Sequence, residues 1–350
     1  MLRLVRKETI HQLLTLTIIA SLAMISCKEI GAVPEFEYKF DDEVALSEVD
    51  TTSLVAGDLS VDAGSLSNQA ATDLSGDITG DATQTASNTS AIDNSVSQAQ
   101  QDYWNSQSTT SIVEDIESGD EDIESQVNDM ITTFENDPAL AEFIPEVASP
   151  DGTSGRASGR LSAANVSSPV NNIVAAVNAD LDDCKQAAQD AFDVSKATLD
   201  DALEAELAKI AARYNNQLSK LQDRADVLLG DAQTRHDDRK ASYLTIYDEI
   251  DAAISQALSD GVITAGQQSS LNLLNKLIYA LNVSYSRTLK LDEDTLINNL
   301  LTTETTKLNT ANDAMVAEAN RNYNTAIAEA TTKRNQRQNG CHNQGSNSGG

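Results

Sequence analysis

The chain has few of the residues that build ligand sites or interrupt helices. Its 350 residues include five prolines, three histidines and three cysteines, and only 4% are aromatic. No proline follows Pro169, so the second half lacks the strongest helix breaker. The few histidines and cysteines do not have zinc-ligand spacing, and no phosphate-binding or dinucleotide-binding glycine motif occurs. We therefore expect no enzyme active site, no metal and no cofactor.

Basic residues are also scarce, above all in the first half of the chain. The whole sequence has 54 acidic and 24 basic residues and a net charge of −30. Residues 28–160 contain 28 of the acidic residues and only 4 basic ones. A surface of this sign repels phosphate backbones and anionic membranes, which argues against nucleic acid as a partner. The charge could guide a cationic partner, but we interpret most of it as solvating a flexible arm.

One apolar stretch lies near the N-terminus, from Leu13 to Ile25, behind the basic residues Arg3, Arg6 and Lys7. A membrane-spanning helix needs roughly 20 apolar residues, and this stretch is shorter. A basic start followed by a short apolar segment is the layout of a secretory signal peptide. Residues 1–27 are therefore interpreted as a signal for export.

The end of this segment, Ala23-Met24-Ile25-Ser26-Cys27, resembles the lipobox of bacterial lipoproteins. The resemblance implies that Cys27 is the lipidation site, acylated with chains such as palmitate, and the first mature residue. In that family an aspartate after the cysteine favours the inner membrane, so Lys28 implies the outer membrane. Several acyl chains would anchor the protein firmly. The alternative is an ordinary cleaved signal peptide with an incidental cysteine.

Composition divides the exported chain further. Residues 28–110 are rich in small and polar residues, which predicts a disordered acidic tether. In residues 111–148 apolar side chains return at helical spacing, and Asp137-Pro138 suits a helix start, so short helices that dock on something larger are expected. Residues 149–168 are interpreted as a flexible linker, most open to proteases at 149–160. Residues 340–350 are interpreted as a disordered tail.

Between residues 169 and 339, apolar residues and alanines recur at steps of three and four, as in coiled-coil helices. The pattern stops at Gly261 and resumes after Thr264, which opens a capping-box sequence. Two halves of similar length predict an all-α fold, a long antiparallel helical hairpin. The pattern weakens near Gly230 and Asp292, so the hairpin is either straight or folded back into a four-helix bundle.

Cys184 and Cys341 lie at similar distances in sequence from the expected turn, so antiparallel arms would bring them together. In an oxidising compartment this predicts an intramolecular disulfide. The alternative is two unrelated cysteines, with Cys341 pairing between molecules. His236, in the charged stretch 235–239, is interpreted as a solvated surface residue, and no histidine is placed to activate a serine.

Four tyrosines lie near the turn: Tyr243, Tyr247, Tyr279 and Tyr285. We interpret them as core residues, and the alternative is that they are exposed anchors for binding. The order of anchor, arm and hairpin indicates a lipid-anchored envelope protein that presents a hairpin to an unidentified protein partner. The alternative is a lipid-anchored receptor, with a small ligand held in a pocket at the level of Gly230 and Asp292.

Overall fold

The computed structural model describes residues 44–154 and 179–341. Within these ranges the chain forms two compact units and is mostly α-helical. The larger unit combines residues 46–154 with the hairpin residues 200–324, and the smaller unit contains residues 44–45 with the helix ends 179–199 and 325–341. The predicted all-α fold, built on a long helical hairpin, is confirmed.

Residues 46–154, called the module from here on, contain short helices and two small β-ribbons. The elements are a 3-10 turn at Thr51–Ser53, strands β1 (Leu59–Asp62) and β2 (Ser65–Ser67), helices α1 (Gln69–Gly80), α2 (Ala82–Ser95), α3 (Gln98–Ser106), α4 (Thr109–Ser118), α5 (Glu121–Glu135) and α6 (Pro138–Ala141), and strands β3 (Glu146–Ala148) and β4 (Asp151–Ser154). Each helix starts behind a side chain that accepts hydrogen bonds from first-turn N–H groups, namely Asn68, Asp81, Ser97, Ser108, Asp120 and Asp137.

The disordered tether predicted for residues 28–110 is wrong for residues 46–110, which form the 3-10 turn, two strands, three helices and the start of a fourth. The cause is a shared core. Leu74, Ile92 and Trp104 are almost completely buried in one apolar cluster with hairpin residues such as Leu274 and Leu277. The hairpin thus supplies the apolar surface that the module lacks, which offsets the entropy cost of ordering it. Residues 28–43 lie outside the described residues.

The two ribbons are antiparallel, with β1 paired to β4 and β2 paired to β3. The predicted linker at 149–168 is therefore wrong at its start, where Asp151–Ser154 is a strand, and residues 155–168 lie outside the described part of the chain. Glycines allow the ribbons to approach the hairpin closely. A Cβ at Gly64 would lie 2.3 Å from Leu289 Cδ1, and one at Gly152 would lie 2.8 Å from Leu300 Cδ1.

Helices α7 (Ala179–Ser259) and α8 (Ala265–Gly340) form the hairpin. Helix α7 continues through Gly230, and helix α8 continues through Asp292. The alternative of a hairpin folded back into a four-helix bundle is therefore wrong. One glycine in a helix costs only about 1 kcal/mol, which packing along so long a helix readily offsets. Helix α8 also covers Gly340 at the start of the predicted tail, and residues 342–350 lie outside the described residues.

The turn between α7 and α8 has well-defined hydrogen bonds. Gly261 adopts a positive φ of 71°, the left-handed region that suits glycine. Its N–H donates to Leu258 O, and that of Val262 donates to Ala257 O, which is the Schellman pattern. The predicted capping box is confirmed, since Thr264 and Gln267 each accept from the other's backbone N–H.

The smaller unit is closed by a disulfide. The sulfur atoms of Cys184 and Cys341 are 2.07 Å apart and the Cα atoms 6.0 Å apart, so the predicted pairing is confirmed. Its packing is otherwise modest: Ala188 and Ala330 are buried, and the Arg334 guanidinium lies 4.8 Å over the Phe192 ring. A covalent link compensates for this small apolar core.

Candidate functional site: the interface between module and hairpin

Residues 46–68, called the strap, run in largely extended form along the hairpin. Three arginines of α7 donate hydrogen bonds to strap carbonyls: Arg213 to Leu54 O (3.2 Å), Arg224 to Leu59 O (3.2 Å) and Arg239 to Gly64 O (2.9 Å). Three hairpin side chains accept hydrogen bonds from strap N–H groups: Glu206 from Val49 (3.0 Å), Gln217 from Ala56 (3.3 Å) and Glu304 from Gly57 (3.1 Å). The strap is thus bound through its backbone, and the side chains of Val49, Leu54 and Leu59 are also buried in an apolar cluster with the hairpin.

The order of these contacts shows that the strap follows α7. Between Val49 and Gly64 the strap advances 15 residues, while its partners on α7 advance 33 residues, from Glu206 to Arg239. Extended chain rises about 3.3 Å per residue and helix about 1.5 Å, so both paths measure about 50 Å. The register of the strap therefore matches the spacing of the polar residues on the helix.

Both of the accepting carboxylates are deeply buried. Glu206 is 4% exposed and Glu304 is 1% exposed. Each also receives a lysine of its own helix, Lys209 at 3.1 Å and Lys307 at 2.6 Å. A buried carboxylate is tolerated only when it is paired with a cation and hydrogen-bonded. The lysines provide the cations, and the strap N–H groups provide further hydrogen bonds.

The module contains 22 acidic residues and no lysine, arginine or histidine. Its ion pairs with the hairpin therefore use cations of α7 and α8. Lys240 lies 2.9 Å from Glu117, and Arg287 lies 2.9 Å from Glu124. In addition, Lys276 donates to Gln107 O at the end of α3 (2.8 Å), and burial lowers the pKa of this lysine. The interface is thus electrostatically complementary, with the acidic side in the module.

A buried polar cluster occupies the level at which the sequence pattern of the hairpin weakens. Glu293 of α8 is fully buried and accepts from Arg235 at 2.5 Å and from Arg239 at 3.4 Å. Such residues replace apolar ones at the seam, which explains why the periodicity fades there. A small ligand bound at this level, as in the receptor interpretation, would have to displace these side chains.

His236 lies in the same cluster, and its interpretation as a solvated surface residue is wrong. The imidazole is fully buried. Its Nε2 lies 2.5 Å from Glu117 Oε1 on α4, and its Nδ1 lies 2.9 Å from Ser286 Oγ on α8. His236 therefore joins α7 to both other elements. The sequence did not indicate this burial, because the charged residues at 235–239 are also typical of an exposed helix face.

Serine, histidine and glutamate in one hydrogen-bonded row resemble a hydrolytic triad, an arrangement of Ser286, His236 and Glu117 that the sequence did not indicate. A triad serine must meet its substrate, however, and Ser286 is fully buried inside α8. Its hydroxyl lies 2.9 Å from Nδ1 of His236, which is itself fully buried. We therefore interpret these hydrogen bonds as a structural network that connects α4, α7 and α8.

One of the two apolar parts of the interface lies towards the turn; the other lies under the strap. Tyr243 and Tyr279 are buried in the cluster shared with the module, and the rings of Tyr247 and Tyr279 are 5.4 Å apart, which favours the core interpretation of the tyrosines. Burial raises the pKa of Tyr243 to about 12. A crevice beside Trp104 is too narrow to hold a water molecule.

Among the described residues, no group of three or more acidic, histidine or cysteine side chains is arranged to hold a metal ion. In the same ranges, no helix combines the length and apolar character needed to cross a membrane. Cys27, the predicted lipidation site, lies outside them. Comparison with protein-family models, with curated proteins and with solved structures finds no match.

Proposed function

We propose that the protein is a lipoprotein of the bacterial cell envelope, anchored in the outer membrane through acylated Cys27, and that it presents its helical hairpin to a protein partner. The signal-peptide layout of residues 1–27 and the lipobox resemblance support the anchor. The partner is a protein, because the acidic module repels nucleic acid and anionic lipid.

The observation that carries this proposal is the strap. Residues 28–45 separate Cys27 from the strap, a contour length of at most about 65 Å. A pull on the anchor would reach the hairpin through the strap, whose hydrogen bonds to Glu206, Arg213, Gln217 and Arg224 follow one another along α7. Bonds arranged in this way share a load applied along the strap. Such an attachment suits a protein that holds a helical hairpin at a membrane against force.

The anchor can be tested with Cys27→Ala. We expect the wild-type chain to incorporate labelled palmitate and to resist extraction of membranes at high salt, since acyl chains do not depend on charge. The variant should lose the label, because no acceptor thiol remains at position 27. Cys184→Ala combined with Cys341→Ala is the matched control, which should keep the label. A Cys27→Ala variant that still incorporates labelled palmitate would contradict the anchor.

The partner can be sought from the same cells. A photo-crosslinking residue at Val262, exposed in the turn, should capture a protein in the envelope fraction, whereas one at the buried neighbour Ile263 should not. If position 262 captures no protein beyond those captured at position 263, the turn does not contact a partner. This outcome is independent of the result for Cys27.

A further inference from the structure

Four residues, called the latch from here on, fasten α4 of the module to both hairpin helices: Glu117, His236, Lys240 and Ser286. Glu117 is the only module residue among them, and its side chain is 32% exposed. Its carboxylate receives His236 Nε2 at 2.5 Å and Lys240 Nζ at 2.9 Å. One carboxylate within reach of water therefore balances two hairpin groups.

We propose that the latch is a pH-sensitive fastening, which holds α4 and α5 on the hairpin at neutral pH and releases them in acid. The inference rests on the latch geometry and does not depend on the lipid anchor. Once Glu117 takes up a proton, it no longer balances Lys240. The attraction between the Glu117 carboxylate on α4 and the Lys240 ammonium on α7 is then lost.

The charged groups around the latch favour this outcome. On α7 they are Arg235, Asp237, Arg239 and Lys240; on α8 they are Arg287, Lys290, Glu293 and Asp294; on α4 and α5 they are Glu117 and Glu124. Arg235 and Arg239 already share the carboxylate of Glu293, and Lys290 has Asp294. Asp237 alone remains near Lys240, at 2.9 Å, and its side chain is half exposed. The module has no lysine, arginine or histidine that would attract the hairpin acids.

The direction of the pH effect follows from Glu117. Burial by itself would raise its pKa, but hydrogen bonds from Lys240 and His236 outweigh burial and leave the pKa below the ordinary value of 4.5. A lowered carboxyl pKa gives stabilisation that is complete above the unfolded value and is lost as the pH falls through the folded value. The latch should therefore hold above the ordinary carboxyl pKa of 4.5 and weaken as the pH falls through the lowered pKa of Glu117.

Release can be measured on the full mature chain in detergent, with spin labels on cysteines placed at the exposed positions Ser125 of α5 and Thr245 of α7. We expect the label distance to increase reversibly on acidification, while circular dichroism shows that the long helices persist. Lys240→Met removes one cation from Glu117, so the opening midpoint should move up by about one pH unit. Glu114→Gln, at an exposed site one turn earlier on α4, should leave the midpoint unchanged.

Two outcomes would overturn the proposal. In the first, Lys240→Met opens at the same pH as the wild-type chain. In the second, Glu114→Gln moves the midpoint as far as Lys240→Met does, which would assign the transition to the general acidity of the module. If Lys240→Met fails to fold, Glu117→Gln tests the same question, namely whether Glu117 causes the transition. It should open more readily at neutral pH and lose the wild-type transition, and retention of that transition would also overturn the proposal.

Discussion

The hairpin helices carry a regular pattern of apolar residues along the sequence, whereas the module has short helices with sparse apolar residues and no cation. The hairpin can therefore pair its own two arms, but the module needs the hairpin on two counts. Its buried residues share a core with α8, and its ion pairs and strap contacts use hairpin side chains. A segment that looks too polar to fold can thus be ordered when another part of the chain supplies both apolar surface and opposite charge.

The largest expected effect comes from the shared core. Trp104→Ala removes a side chain that is 1% exposed and should cost about 3–5 kcal/mol of the free energy of unfolding of the module. Urea denaturation measures the loss, and hydrogen exchange around Leu221 of α7 should remain slow if the hairpin is stable without the module. Tyr103→Ala, at the partly exposed neighbour, should cost less. An equal loss in both variants would show that the module does not depend on this core.

A smaller loss is expected from the polar cluster. Glu293→Gln leaves the Arg235 and Arg239 guanidinium groups without their buried carboxylate, so we expect a loss of about 3 kcal/mol. Asp292→Asn changes the adjacent, exposed carboxylate and should alter the free energy of unfolding by less than about 0.5 kcal/mol. If the two variants have equal stability, Glu293 is not the residue that compensates these arginines.

The smallest effect concerns the close approach of the ribbon. Gly64→Ala places a Cβ 2.3 Å from Leu289 Cδ1 and 2.7 Å from Ala148 O, and the carbonyl belongs to the backbone, so a loss of about 1–3 kcal/mol is expected. Gly76→Ala, within α1, has no neighbour within 4 Å of the added Cβ and should stabilise the protein by about 0.5–1 kcal/mol. A gain in both variants, measured by thermal unfolding, would mean that the strap can shift away from α8.

Sequence reasoning was accurate where local chemistry decides the structure. Gly261 and Thr264 mark the turn, and the nearly equal spacing of Cys184 and Cys341 from it predicted the disulfide, because two antiparallel helices have the same rise per residue. It was wrong where the partner of a residue is far away in sequence. His236 and Glu117 are 119 residues apart, and nothing around either one indicates the other.

The amino-acid sequence by itself determined two long helices and the turn at which the chain reverses, because helix propensity, apolar period and capping act over a few residues. Only the tertiary structure decided that residues 46–154 are ordered, that the hairpin is unbroken at Gly230, and that His236 is buried. Each of these depends on surface and charge contributed by a distant segment, and neither composition nor periodicity within one segment contains that information.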